Sequence, residues 1–196
     1  MNVSRETSER LERYQLIVEK WNGKINLISP NTMQQFSSRH IADCAQILDH
    51  AEDVSGHWLD LGSGAGLPGL VVAIMKAAEN LKVTLVESDL RKSAFLRSVI
   101  RDLSLSNAMV VSERIESLVP QNADYVSARA LAPLPELLSM IVRHIHPGGT
   151  ALLLKGRQWR AECENAKRDW QFDLQSFQSK TDPEAAILKI RGLSHV

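Results

Sequence analysis

At 196 residues and 44% apolar composition the chain can bury one sizeable core, and it contains no run of about 18 apolar residues that could span a bilayer. Twenty-three basic side chains balance 23 acidic ones, so the general positive charge common in nucleic-acid enzymes is missing; an RNA substrate would need the cations gathered on one face. The polar start Met1-Asn2-Val3-Ser4-Arg5-Glu6 carries no secretory signal, and Cys44 and Cys163 lie too far apart for a ligand pattern, which points to buried, inert thiols in a reducing cytoplasm.

Leu11, Tyr14, Ile17, Val18 and Trp21 recur at helical spacing and predict a helix over residues 4–21. Ser4 and Thr7 are candidate N-caps, but neither has an acid three residues on to complete a capping box. Asn22-Gly23-Lys24-Ile25-Asn26-Leu27 breaks that helix. A second helix is predicted over 31–51, with Phe36, His40, Ile41, Cys44, Ile47 and Leu48 on one side. Residues 1–55 therefore read as a helical extension packed on an α/β core of residues 56–196, the two forming one domain.

From residue 57 strands and helices alternate. Strands are predicted at 57–61, 82–87, 108–112, 124–128 and 150–155, with helices at 67–78, 91–103, 134–145 and 157–168 between and after them. Pro147-Gly148-Gly149 reads as the stop signal of the helix before it. Closing strands at 174–179 and 186–191 bring the total to seven. Repeated βα units at this spacing imply a doubly wound, mainly parallel sheet of the Rossmann type.

The segment Trp58-Leu59-Asp60-Leu61-Gly62-Ser63-Gly64-Ala65-Gly66-Leu67-Pro68-Gly69 carries the most chemistry. Glycines at alternate positions after a strand let a ligand lie against bare backbone, and the helix that follows aims unsatisfied N–H groups at the same spot. Gly64-x-Gly66-x-x-Gly69 fits a dinucleotide fingerprint, which alone is a weak signal. A dinucleotide site, however, wants its first glycine directly after an apolar strand. Here the strand meets Gly62 two residues earlier and carries Asp60 near its end. A carboxylate at the mouth of the loop suits a cationic amino-acid end better than a pyrophosphate, so the loop favours S-adenosylmethionine (AdoMet) over NAD.

Residues 82–87 end in Glu87, whose carboxylate could accept both ribose hydroxyls of an adenosine; NAD enzymes place an acid here too. Exocyclic-amine methyltransferases usually carry an [Asp/Asn]-Pro-Pro-[Tyr/Phe] loop after the fourth strand, where this chain has Ser127-Ala128-Arg129-Ala130-Leu131. Pyrimidine-C5 methylation needs a cysteine near the cofactor, and neither cysteine is so placed. A metal site would need clustered acids, and none is seen. What remains is an acceptor that already holds a lone pair, such as a purine ring nitrogen, which needs orientation rather than a base.

Arg129 lies at the carboxyl end of the fourth strand and Lys155 at that of the fifth, where ligands bind in open α/β sheets; these are the two candidate catalytic residues. A surface ion pair and a solvated strand end are their unremarkable alternatives. Glu113-Arg114-Ile115-Glu116 follows the third strand, where methyltransferases of this fold usually hold the adenine, with Ile115 against its face and backbone N–H groups at its edge. His40 suits a packed structural role and a substrate contact equally. Two cationic groups, Arg91, Lys92, Arg97 and Arg101, and Lys155, Arg157 and Arg160, are candidate RNA patches or ordinary solvated surfaces. A nucleotide-dependent oxidoreductase and a non-catalytic AdoMet-binding protein stay open at this point.

Taken together these residues resemble one family, the bacterial small-subunit ribosomal RNA guanine-N7 methyltransferase G, also called the glucose-inhibited division protein B family. The resemblance is carried by Lys20-Trp21-Asn22 with Ile25-Asn26-Leu27, by Arg39-His40-Ile41-x-Asp43, and by the run from Leu59 through Leu67-Pro68-Gly69. Leu85-Val86-Glu87-Ser88 with Phe95-Leu96, Arg114-Ile115-Glu116, Arg129-Ala130 and Lys155-Gly156 complete it, in the family's order over nearly the whole chain. Cys44 departs from the serine often found there, and residues after Phe172 show little family signature. The resemblance implies a class I AdoMet-dependent methyltransferase fold and methyl transfer to N7 of one guanine in 16S ribosomal RNA of the small subunit. The cysteines, the missing apolar run and the scattered acids separately lead to the expectation of a cytoplasmic protein away from membranes with no metal, and a monomer is expected. Asp60, Gly62, Gly64, Gly66, Leu67, Glu87, Ile115, Glu116 and Arg129 are the expected cofactor-binding set.

Overall fold

The computed structural model describes residues 3–78 and 80–196. Seven strands form one sheet: β1 (Gly56–Leu61), β2 (Leu81–Val86), β3 (Ala108–Val111), β4 (Ala123–Arg129), β5 (Ile145–Lys155), β6 (Trp170–Gln178) and β7 (Ala186–His195). Their spatial order is β3-β2-β1-β4-β5-β7-β6. The first five pair in parallel, and β7 runs antiparallel to both β5 and β6. The central strands are buried on both faces and read as near-continuous apolar runs, as parallel strands covered by helices must. The expected seven-stranded, mainly parallel sheet is therefore what the chain forms. Strand order reverses between β1 and β4, and that crevice, outside their carboxyl ends, is where such sheets bind ligands.

Side chains alternate across the sheet with period two. On β1, Trp58 joins a core with α3 (Gly69–Met75), α4 (Leu90–Asp102) and the N-terminal helices, while Leu59 and Leu61 join one with α5 (Leu134–His144) and α6 (Trp159–Ala166). Asp89 caps α4 by accepting from the Arg91 and Lys92 amides. α1 (Arg5–Asn22) starts at Ser4, whose hydroxyl accepts from the Thr7 amide, and buries Leu11, Tyr14 and Val18 on the first core. No helix among the described residues is long and apolar enough to cross a membrane.

Two expectations need correction. The helix expected over 31–51 is four short pieces: a 3₁₀ turn (Pro30–Gln35), a wide π-type turn (Phe36–Ile41), α2 (Ala42–Ala45) and a second 3₁₀ turn (Gln46–His50). The wide turn puts Phe36, His40 and Ile41 on the buried side together, a spacing a regular helix would splay. The fifth strand, expected over 150–155, begins already at Ile145, while Pro147-Gly148-Gly149 still follows the helix end within three residues. α5 stops at His144, Ile145 already pairs with Ala123, and the Pro-Gly-Gly run is absorbed where the register jumps to Tyr125 opposite Thr150.

Candidate active site

The glycine loop leaves β1 with Gly62, Gly64 and Gly66 all at positive φ. At Gly62 this freedom is required twice over, because a Cβ would also fall 2.6 Å from Cδ1 of Leu131. At Gly69 a Cβ would fall 2.7 Å from Oδ2 of Asp60, so only glycine lets α3 begin directly against β1. The loop is held from three sides. Ser63 N–H donates to the Val86 carbonyl at 3.0 Å. Gly64 N–H donates to Oε2 of Glu87 at 2.9 Å. The buried Tyr14 hydroxyl, reaching in from α1, donates to the Ala65 carbonyl.

Glu87 lies at the tip of β2 and accepts one backbone amide on each oxygen, the second from Asp89 at 2.8 Å. Each oxygen keeps a lone pair toward the cavity. Asp60 is placed differently from its expectation. The β1 alternation sends its side chain under the loop, fully buried, rather than to the loop's mouth. Oδ1 accepts from Ser127 Oγ at 2.6 Å, and that oxygen accepts from Trp58 Nε1 at 2.9 Å. Oδ2 is buried without a well-formed hydrogen bond, the Gly69 amide being the backbone donor acting on it. Burial pushes the Asp60 carboxyl up to about 6, against the pull of these donors.

A cavity of about 670 Å³ opens above the loop. Gly62, Gly64, Leu67, Glu87, Ile115, Glu116 and Arg129 all line it, so seven of the predicted residues come together. Asp60 and Gly66 shape it from beneath without lining it, and Lys155 belongs to its neighbour. Leu27, Ile28, Thr32, Arg39 and His40 of the N-terminal segment close one side, and Met140 of α5 closes another. The Ile115 backbone is itself pinned, because its carbonyl accepts from His144 Nε2 at 3.0 Å.

Arg129 ends β4 and is gripped by the N-terminal segment. Its Nη2 donates to His40 Nδ1 at 2.8 Å, its Nε faces Asp43 Oδ2 at 3.4 Å, and its Nη1 points at Cys44 Sγ, 3.7 Å away. Arginine can only donate, so His40 Nδ1 accepts and the ring proton sits on Nε2, which reaches Thr32 Oγ1 at 2.9 Å. Burial, with the Arg129 charge adding to it, pushes His40 down to about 4, so the imidazole is neutral. Burial pushes the Cys44 thiol up to about 12, an inert thiol as expected.

A second cavity, of about 860 Å³, shares Arg39, Arg129 and Ala130 with the first. Lys155, Gly156 and Arg157 line it, together with Lys180 and Thr181 from the β6–β7 turn. The Lys155 ammonium is not free. It pairs with Glu162 and donates to the Ala132 carbonyl at 2.9 Å, while Glu162 also accepts from the Leu134 amide at 2.8 Å. Lys155 therefore braces the loop between Arg129 and α5.

Several of these partners were missed. Tyr14 is one apolar position of a helical stripe in sequence, Ser127 is an unmarked strand residue, and Glu162 sits on an ordinary helix. Only the tertiary fold brings them to Ala65, Asp60 and Lys155 respectively. The geometry provides an adenosine-sized cleft with acceptors and bare backbone on one side, and a polar, cationic groove on the other. Arg129 stands between them.

Comparison with known proteins agrees with that geometry. Residues 7–188 match the family model described as GidB, rRNA small subunit methyltransferase G. The ribosomal RNA small subunit methyltransferase G of Paracoccus denitrificans (strain Pd 1222) is 54% identical over 195 residues, covering 100% of both chains. That of Cereibacter sphaeroides (strain ATCC 17029 / ATH 2.4.9) is 48% identical over 198 residues, covering 100% of this chain and 96% of its own. A solved SAM dependent methyltransferase from Aquifex aeolicus aligns with a TM-score of 0.62 at 16% identity, covering 83% of this chain and 97% of its own, a likeness of fold.

Proposed function

The chain belongs to the rRNA small subunit methyltransferase G family, and from that premise we propose that it methylates N7 of one guanine in 16S ribosomal RNA with AdoMet as donor. Family membership sets aside the oxidoreductase alternative. The observation that carries the finer reading is the meeting of the two cavities at Arg129. The first would take the donor and the second the acceptor nucleotide with its neighbouring phosphates.

The residues of the first cavity fit AdoMet. Glu87 keeps acceptor capacity for ribose hydroxyls, Ile115 and Met140 offer apolar surface to a purine, and Gly62 and Gly64 leave room at the backbone. Beneath them the under-bonded Asp60 carboxylate supplies negative charge next to where a cationic ligand would lie. When bound, AdoMet supplies an electrophilic methyl group on a sulfonium.

The chain's own residues orient rather than take a proton. Both ring nitrogens of His40 are engaged, and both thiols are buried. Guanine N7 already carries a lone pair, so such a site suffices for it. The methylated base gains a positive charge, and Asp43 beside Arg129 keeps the junction close to neutral.

Labelled AdoMet with unmodified small subunits, followed by borohydride–aniline cleavage at 7-methylguanosine, tests this reading. Label in 16S RNA with cleavage at one guanine is expected. Label without cleavage would overturn the N7 assignment.

A further inference from the structure

The residues after Phe172 show little family signature in sequence, although the family model extends to residue 188, and the turn between β6 and β7 reaches back to the candidate site. Three stretches distant in sequence converge on the Asp43 carboxylate. Oδ1 accepts from Ser179 Oγ at 3.1 Å, from Thr181 Oγ1 at 2.9 Å and from Gln46 Nε2 at 3.3 Å. Oδ2 is left facing Nε of Arg129. The turn is itself fixed, because the Lys180 amide donates to Gln46 Oε1 at 2.7 Å and the Thr181 amide to Ser179 Oγ at 3.2 Å. Ser179 is buried, and Thr181 lines the second cavity.

Without other donors the Asp43 carboxylate could rotate and exchange the oxygen that faces Arg129. Here three donors occupy one oxygen, and that occupancy orients the other. We propose that Ser179 and Thr181 are positioning residues for acceptor methylation: by saturating Oδ1 of Asp43 they turn Oδ2 to Arg129 and hold its guanidinium between the two cavities. The C-terminal hairpin is then a working wall of the acceptor groove. The inference rests on the reading of that groove as the acceptor site.

The local geometry explains why hydroxyls serve here. Two hydroxyl protons serve three contacts, because Ser179 Oγ and Thr181 Oγ1 lie 2.9 Å apart as well as each reaching Asp43 Oδ1, so one hydroxyl or both donate to Asp43 at a time, while Ser179 Oγ accepts from Gln46 Nε2 and the Thr181 amide. Valine at 181 would keep the shape and lose the donor. Serine at 181 would keep the donor and lose a methyl.

The test compares wild type, Ser179→Ala/Thr181→Val and Thr181→Ser. The double variant is expected to lower kcat on unmodified small subunits about tenfold, the scale of lost hydrogen bonds to a charged group. Its affinity for S-adenosylhomocysteine should fall far less than kcat, by no more than about twofold, since of the donor-cavity lining only Arg129 shifts while the glycine loop, Glu87 and Ile115 stay in place. Thr181→Ser should transfer at close to the wild-type rate. In the free protein the Nε–H resonance of Arg129 should shift in the double variant and stay in place in Thr181→Ser.

Wild-type turnover by the double variant overturns the proposal, as does an unmoved Arg129 resonance. So does a parallel loss of S-adenosylhomocysteine binding, which would mark a general structural role. Failure of the wild type to methylate small subunits would instead sink the reading of the groove, and the resonance still reports on the Asp43 linkage by itself.

Discussion

Arg129 donates through Nη2 to Nδ1 of His40, so the imidazole that the sequence left ambiguous is a neutral acceptor locked in one tautomer. A proton on Nδ1 would face an N–H of a permanent cation. Burial and that charge hold the folded-state value at about 4, below the ordinary 6.5. A depressed base contributes stability that is complete above the unfolded value and is lost as pH falls from 6.5 toward 4. His40→Asn keeps an acceptor near Nδ1 but does not titrate. Denaturant unfolding from pH 7 to pH 4.5 should show wild type losing stability relative to His40→Asn as pH falls. Parallel curves would mean that His40 titrates freely.

Asp60 has the opposite sign. Its folded carboxyl titrates at about 6, raised by burial, so its contribution to the stability of the free protein is present below the unfolded value near 4 and is lost as pH rises through 6. The ionised form stands under-bonded beneath the donor cavity and should attract a cationic ligand. Calorimetric affinity for AdoMet is expected to rise several-fold from pH 5 to pH 7, and Asp60→Asn should flatten that rise. S-adenosylhomocysteine, which lacks the sulfonium, should show the weaker dependence. A pH profile for AdoMet left unchanged by Asp60→Asn would remove Asp60 from cofactor recognition.

Lys155 and Glu162 form a mostly buried pair that also ties down the Ala132 carbonyl and the Leu134 amide. Removing one partner strands the other's charge, so Lys155→Met should destabilise the fold by about 3 kcal/mol. Lys155→Met/Glu162→Gln should recover part of that loss, which two independent losses would not. Arg129→Ala provides the contrast: Asp43 keeps its donors from Gln46, Ser179 and Thr181, so the loss of stability should be smaller than for Lys155→Met, while kcat falls about a hundredfold from lost orientation. Were the single and double Lys155 variants equally unstable, the pair would not be coupled.

The alternating strands, the glycine loop and seven cavity-lining residues were legible in sequence because each rests on local signals: period-two burial, glycines after a strand, an acid at a strand tip. Asp60 was expected at the mouth of the loop and lies buried beneath it, because the strand pattern shows an acid near the strand's end but not that its side chain shares the covered face with Trp58. The four-piece segment that holds His40 and Asp43 could not be seen, since Phe36, Ile41, Cys44, Ile47 and Leu48 as a set still fit one broad helix face and only the Phe36-to-Ile41 step strains it. Ser179 and Thr181 were invisible for another reason. Hydroxyl residues in a turn look alike whether they meet solvent or a carboxylate 136 and 138 residues away.

The chain's neutral net charge makes the location of its cations decisive. Around the second cavity, the proposed acceptor groove, stand Arg39, Arg129, Lys155, Arg157 and Lys180, with Arg160 stacked on Trp159 at 4.4 Å just beyond. Arg129, Lys155 and Lys180 face Asp43, Glu162 and Asp49, which leaves Arg39 and Arg157 the better phosphate ligands. The rival patch on α4 is already committed in part: Arg97 donates to Ser112, and Arg101 follows α4 to an end where Arg13 pairs with Asp102. Binding to small subunits should weaken linearly in log–log plots against salt, because each phosphate contact releases condensed counterions. Arg157→Ala should reduce that slope by about 1, and Arg101→Ala should leave it unchanged. A flat salt response would argue against an electrostatic RNA face. A slope changed by Arg101→Ala and not by Arg157→Ala would move that face to α4, on the other side of the donor cavity from the groove.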